Sequence, residues 1–203
     1  MRGMVSRWIA LGAIMFATAC GGGGGDGTPV GGDGGEVAPP PAADSYWTMD
    51  SHTYLNGGHS QQTAATLGDG RPYTIVVVST ATLAGGDQSN GAYSGGGLNF
   101  TFLGSAPGTY TVVPDRPALL AAPDGSKAIF IESMVGIGSE TGVSTGASTL
   151  YTAASGQVEV TKDAAGVYHL STPDELRTVK TLDVEGGVSG APATMQLKIH
   201  NAH

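Results

Sequence analysis

Gln157-Val158-Glu159-Val160-Thr161-Lys162-Asp163-Ala164-Ala165-Gly166-Val167-Tyr168-His169-Leu170 is the stretch on which the fold class turns. Its first arm alternates, so Val158 and Val160 share one face and Gln157, Glu159 and Thr161 the other. Asp163 to Gly166 then reverses the chain, and Val167 to Leu170 returns. The period is two rather than 3.6, which predicts a β-hairpin. The same period extends outward in both directions. Met195, Leu197 and Ile199 fall on one face of a closing strand, and Leu98, Phe100 and Phe102 on one face of an earlier one. Ala128 to Val135 reads as a buried strand, with Ile129 and Ile131 on one side and Phe130 and Met134 on the other. Tyr73 to Val78 is a nearly continuous apolar run, as in a central strand. Gly108 to Val113 follows the short turn Ala106-Pro107-Gly108 and is expected to pair back on Leu98–Phe102 as a second hairpin.

Turn signals recur at Asn56-Gly57, Asp69-Gly70, Gly85-Gly86-Asp87, Asp124-Gly125 and Gly186-Gly187. No amphipathic pattern of ten residues follows residue 20, and Pro173 to Val179 is expected to supply a turn. Many short strands with Gly-rich turns predict an all-β domain over residues 45–203, an antiparallel β-sandwich or flattened barrel. Two segments rich in Gly, Ser and Thr read as long loops: 84–97 and 136–149.

The beginning of the chain is of another kind. Residues 21–44 hold ten Gly and four Pro with no aromatic residue, too little apolar surface for a core. This segment is expected to be a disordered tether, spanning about 25–30 Å as a flexible coil. Before it, Arg2 and Arg7 precede the apolar run Trp8 to Ala17, which is too short to cross a bilayer. Ala17 and Ala19 then stand three and one residues before Cys20, the one cysteine of the chain. This is the layout of a secretory signal over residues 1–19.

Ala17-Thr18-Ala19-Cys20 resembles the lipobox of bacterial lipoproteins, with Ala17 where that family prefers Leu. The resemblance implies cleavage before Cys20 and a diacylglyceryl thioether on its sulfur, usually with an acylated amine. More than one acyl chain is what stable anchoring takes. Gly21 rather than Asp after the cysteine implies sorting to the outer membrane. The stretches Leu98–Val113 and Gly156–Leu170 are similar to small domains of other exported lipoproteins of unassigned role, a likeness that transfers no function.

Charge narrows the partners. Nine Lys and Arg against 17 Asp and Glu give a net charge of −8; loss of Arg2 and Arg7 with the signal leaves seven against 17, about −10. Without a basic cluster, a nucleic-acid partner is excluded. Lipid on Cys20 is the expected membrane contact, and a protein or glycan is the kind of partner left for the domain.

Several constellations invite chemistry. Gly142-Val143-Ser144-Thr145-Gly146 matches G-x-S-x-G, with Asp183 and His200 later in the chain. A nucleophile elbow needs a strand before it and a helix after it, and Ala147 to Tyr151 has no helical period. Ser144 is therefore expected in a flexible loop. Glu132 sits inside an apolar strand and is expected at an edge or outward position; paired with Glu159, or Asp50 with Asp44, it would be the alternative, an acid/base couple. His52 and His59 flank the Asn56-Gly57-Gly58 turn and would face each other if it closes a hairpin, while His169 and His200 are expected to face solvent. No H-x-H or C-x-x-C spacing marks a metal site, and no cofactor signature is present. Tyr46, Trp47 and Tyr54 are expected to plug the core.

These features predict a lipid-anchored envelope protein whose β domain does structural or binding work, without catalysis. The alternatives are a small envelope hydrolase using Ser144 or Glu132, and a ligand-binding module using the 84–97 and 136–149 segments.

Overall fold

The computed structural model describes residues 44–56, 59–80, 91–139 and 142–203. The signal segment 1–19, Cys20 and the tether up to residue 43 lie outside the described residues. The strands are β1 (Tyr46–Met49), β2 (His52–Leu55), β3 (His59–Thr66), β4 (Pro72–Thr80), β5 (Gly95–Leu103), β6 (Gly108–Val113), β7 (Ala128–Ser139), β8 (Gly142–Ala153), β9 (Gln157–Lys162), β10 (Tyr168–Ser171), β11 (Leu176–Val184) and β12 (Thr194–His200). A 3₁₀ turn spans Gly91–Tyr93, and a six-residue helix, α1, spans Arg116–Ala121.

The twelve strands form one sheet. It is mostly antiparallel and curls into a half-barrel of short strands, so the fold is all-β as the alternation predicts. The hairpin of residues 157–170 forms as β9 and β10, with Leu170 opposite Val160 and Tyr168 opposite Lys162. The long strand β7 is the hub. One of its edges takes β5, from Ile129 to Gly136. Its other edge takes β6 in parallel over Ala128 to Phe130 and then β8 in antiparallel from Glu132 onward. Beyond β8 the order continues through β11, β12, β1 and β2; beyond β6 it continues through β9 and β10. A bridge between Leu170 and Ala202, with both backbone hydrogen bonds at 2.9 Å, draws β10 to the chain just after β12.

The inner face is closed by large side chains. Trp47 and Tyr54 stack at 5.6 Å and are fully buried, as expected for a core plug, while Tyr46 is only partly covered and stacks on His200 at 4.9 Å. Phe100, Phe102, Ile129, Ile131, Met195, Leu197 and Ile199 join them inside. A second, smaller core lies on the outer face, where Leu119 of α1 packs with Tyr73, Leu103, Ala128 and Phe130. The alternation on β7 is thus used twice, Ile129 and Ile131 inward and Phe130 outward.

Several expectations are corrected. Leu98–Phe102 and Gly108–Val113 do not pair with each other: β5 and β6 lie on opposite edges of β7. The parallel β6–β7 pair then needs a crossover, and α1 supplies it. Asp115 caps α1 by accepting the Ala118 N–H at 2.7 Å, and Pro117 stands in its first turn, where a missing N–H costs nothing. Next, 136–149 is not a loop but the outer end of the β7–β8 hairpin, paired as far as Gly138 with Val143 and Ser139 with Gly142. Last, 95–97 belongs to β5, while 84–90 lies outside the described residues. Here glycine serves close packing: a Cβ at Gly96 would sit 2.8 Å from the Tyr54 ring. The expected turn after Pro173 occupies only 173–174, and Leu176 already opens β11.

Candidate functional site

Three turns converge at one end of the sheet: residues 67–71 between β3 and β4, 104–107 between β5 and β6, and 122–127 between α1 and β7. They enclose a cleft of about 210 Å³. Leu103, Pro72, Ala106 and Tyr110 form its apolar part, and Arg71, Lys127 and Ser126 its polar part. Such a mixture of apolar floor and few polar groups is what small-ligand sites use.

The two cations pin the walls to one another. Arg71 Nε pairs with Asp69 Oδ2 at 2.8 Å, and its Nη1 and Nη2 donate to the carbonyls of Ala122 and Leu120, each at 2.6 Å. The last carbonyls of a helix have no partner within it, so Arg71 both satisfies the end of α1 and ties it to the β3–β4 turn. The Arg71 backbone N–H, ahead of the guanidinium, holds the Asp69 carboxyl below the usual carboxylate range. Lys127 Nζ donates to the Pro107 carbonyl at 2.8 Å and lies 5.7 Å from the Tyr110 ring centroid. Tyr110 Oη in turn donates to the Ala106 carbonyl at 2.6 Å. Gly108, at φ +137°, makes room for this: a Cβ there would take the place of the ammonium. Ser126 Oγ is buried without a hydrogen-bond partner among the described residues.

The residues expected to carry chemistry are placed elsewhere. Glu132 is on the outward face of β7, as expected, with its side chain 23% exposed. Its Oε2 accepts from Arg116 Nη2 at 2.5 Å and from Asn99 Nδ2 at 3.5 Å. Glu159 is exposed on β9 opposite Thr109, so each of this pair has its own surroundings. Asp44 and Asp50 flank the two ends of β1, about 20 Å apart at strand rise, too far for a couple. Ser144 falls in β8, not in a loop, and the strand continues through to Ala153 where an elbow needs a helix; its side chain lies outside the described residues. Asp183 is engaged by Thr149 Oγ1 at 2.8 Å and Lys180 Nζ at 3.2 Å, and His200 is exposed on β12.

The histidines do not gather as the turn suggested. His52 stacks on Tyr93 at 4.5 Å, whereas His59 sits on β3 opposite Ser79, and β2 pairs with β1 rather than with β3. His169 is not solvent-facing but 19% exposed, between Asp163 Oδ2 at 3.3 Å and Asn201 Oδ1 at 3.1 Å, with the His203 ring 4.4 Å away. Among the described residues no cluster of three or more His, Cys, Asp or Glu could hold a metal ion.

Sequence reasoning passed over Arg71 and Lys127. A signal was there: both Asp-Gly turns, Asp69-Gly70-Arg71 and Asp124-Gly125-Ser126-Lys127, are followed within two residues by a cation. That the two turns meet across α1 is a tertiary fact. Compared with known proteins, the chain matches no family model, no curated protein and no solved structure.

Proposed function

We propose that the chain is an exported lipoprotein, anchored through lipid on Cys20 and presenting its half-barrel on a Gly/Pro-rich tether for structural or binding work in the outer membrane of its cell. The observation that carries this reading is the run from Arg2 through the apolar segment to Ala17-Thr18-Ala19-Cys20, followed at once by Gly21 to Gly25. The domain strands begin only at Tyr46, so about 25 residues separate the cysteine from the fold. A non-catalytic role is favoured by the partners of the candidate residues: Glu132 is held by Arg116, and Ser144 lies within a continuous strand. The test is the intact mass of protein purified from membranes beside a Cys20→Ser variant. A mature chain beginning at Cys20 and heavier by two or three acyl groups, with the variant released from the membrane, is the expected result. An unmodified, soluble wild-type chain would overturn the reading.

A further inference from the structure

We propose that the cleft between the β3–β4, β5–β6 and α1–β7 turns binds a small organic monocarboxylate, with its apolar body against Pro72 and Ala106 and its carboxylate on Lys127. The site goes beyond the anchoring proposed above and does not depend on it.

Four observations lead there. The volume, about 210 Å³, lies below the range of drug-sized sites and suits a ligand of one ring or a short chain. The walls are held before any ligand arrives, because Arg71 fastens the end of α1 to one turn and Lys127 fastens the 122–127 segment to another. A rigid site loses little freedom on binding. The Lys127 ammonium has no carboxylate partner among the described residues; its one hydrogen bond goes to a neutral carbonyl, and two of its three N–H groups are left for another acceptor. Ser126, whose Oγ is buried and without a hydrogen-bond partner among the described residues, belongs to the same wall.

Charge selects among anions. Arg71 is already paired with Asp69, so Lys127 is the cleft cation that has no ion-pair partner among the described residues. Asp124 stands at the same cleft, with Oδ1 accepting the Gly125 N–H at 3.0 Å. A monoanion is therefore matched by Lys127, whereas a dianion such as phosphate would place its second charge near Asp124 and Asp69. The apolar floor favours a carboxylate that carries hydrocarbon over a small inorganic ion.

The experiment measures melting temperature and calorimetric binding on the full mature chain carrying Cys20→Ser, titrated with benzoate, hexanoate, benzamide and inorganic phosphate. The expected result is a saturable rise in Tm with benzoate or hexanoate that follows mass action, with none for benzamide or phosphate. Lys127→Met should weaken binding about tenfold or more, the loss of one charge-assisted hydrogen bond, and Lys127→Arg should restore much of it. Ala106→Trp, an exposed position on the rim, should block the cleft without disturbing the core. It keeps the proposal open to refutation if Lys127→Met does not fold. Absence of saturable binding to either carboxylate by the unsubstituted cleft overturns the proposal. So does carboxylate binding of equal strength in Ala106→Trp, or equal binding of benzamide.

Discussion

Two neighbouring pairs of segments, alike in sequence, come out differently. Gln157–Thr161 and Val167–Leu170 pair with each other as β9 and β10. Leu98–Phe102 and Gly108–Val113, also alternating and also separated by a short turn, end on opposite edges of β7. The difference lies in what holds each turn. In the first pair Asp163 closes the loop within itself: its N–H donates to the Val167 carbonyl at 3.0 Å, its carbonyl accepts the Gly166 N–H at 3.0 Å, and its carboxylate accepts the Val167 N–H at 2.9 Å. In the second pair three of the four turn carbonyls are held from outside: that of Pro107 accepts from Lys127, that of Ser105 from Tyr168 Oη, and that of Gly104 from Thr74 Oγ1, while that of Ala106 accepts from Tyr110 Oη within the pair. Here the turn satisfied by its own residues makes a hairpin, and the one satisfied mostly by distant residues leads to a separate edge of β7. The candidate cleft arises at the second kind of turn.

This contrast can be broken or sharpened by measurement. The largest effect is expected inside the long-range half. Phe100 is fully buried on β5 between β4 and β7, and Phe100→Ala should cost about 3–5 kcal/mol in denaturant unfolding. A loss below about 1 kcal/mol would mean that β5 is not seated on the hub.

Alkaline pH reaches the same half through its phenols. Burial, ahead of its neighbours Tyr93 and Asp183, pushes the Tyr151 hydroxyl up to about 12, and burial also raises Tyr54. A raised folded-state pKa means that the folded protein holds these protons longer than the unfolded chain. Their contribution is complete below pH 10 and is lost as pH rises through about 12. Melting temperature should therefore fall between those values, and Tyr151→Phe should flatten the fall.

Gly96→Ala comes next. The new methyl would press on the Tyr54 ring, a cost of about 1–3 kcal/mol by overpacking. Tyr54→Leu in the same chain should remove part of that cost, and the double-mutant cycle should show coupling of at least about 0.5 kcal/mol. Strict additivity would put the glycine's role somewhere other than this contact.

The smallest effect belongs to the local hairpin. The Val167 N–H, ahead of His169, holds the Asp163 carboxyl below its ordinary range. A depressed carboxylate stabilises above its unfolded value and ceases to do so as pH falls through the folded one. Asp163→Asn should slightly reduce the acid sensitivity of stability below about pH 4 and leave neutral stability nearly unchanged, since the group is exposed. A loss as large as that of Phe100→Ala would reverse the ranking of the two regions.

Legibility followed the same division. Inward and outward residues on β5, β7, β9 and β12 were readable because the strand period is two whatever the partner. The tyrosine and tryptophan plug at the start of the domain was readable as apolar bulk near a chain entry. Strand status of 142–153 was not, because Gly, Ser and Thr are equally at home in loops, and only pairing with β7 and β11 makes a strand of them. The cleft was not readable either, since its cations come from turns 56 residues apart in number, Arg71 and Lys127.

The sequence by itself determined that residues from Tyr46 onward form β structure with one apolar face, and where the self-contained hairpin turns back. Alternation and local turn chemistry act over a few residues and need no partner to be seen. Tertiary structure alone decided which strands meet: that β7 carries β5 on one edge and β6 and β8 on the other, that a six-residue helix covers the crossover, and that three turns close around Arg71 and Lys127. Those choices depend on burying the whole inner face at once and on satisfying each turn's carbonyls, conditions that no single stretch of the chain contains.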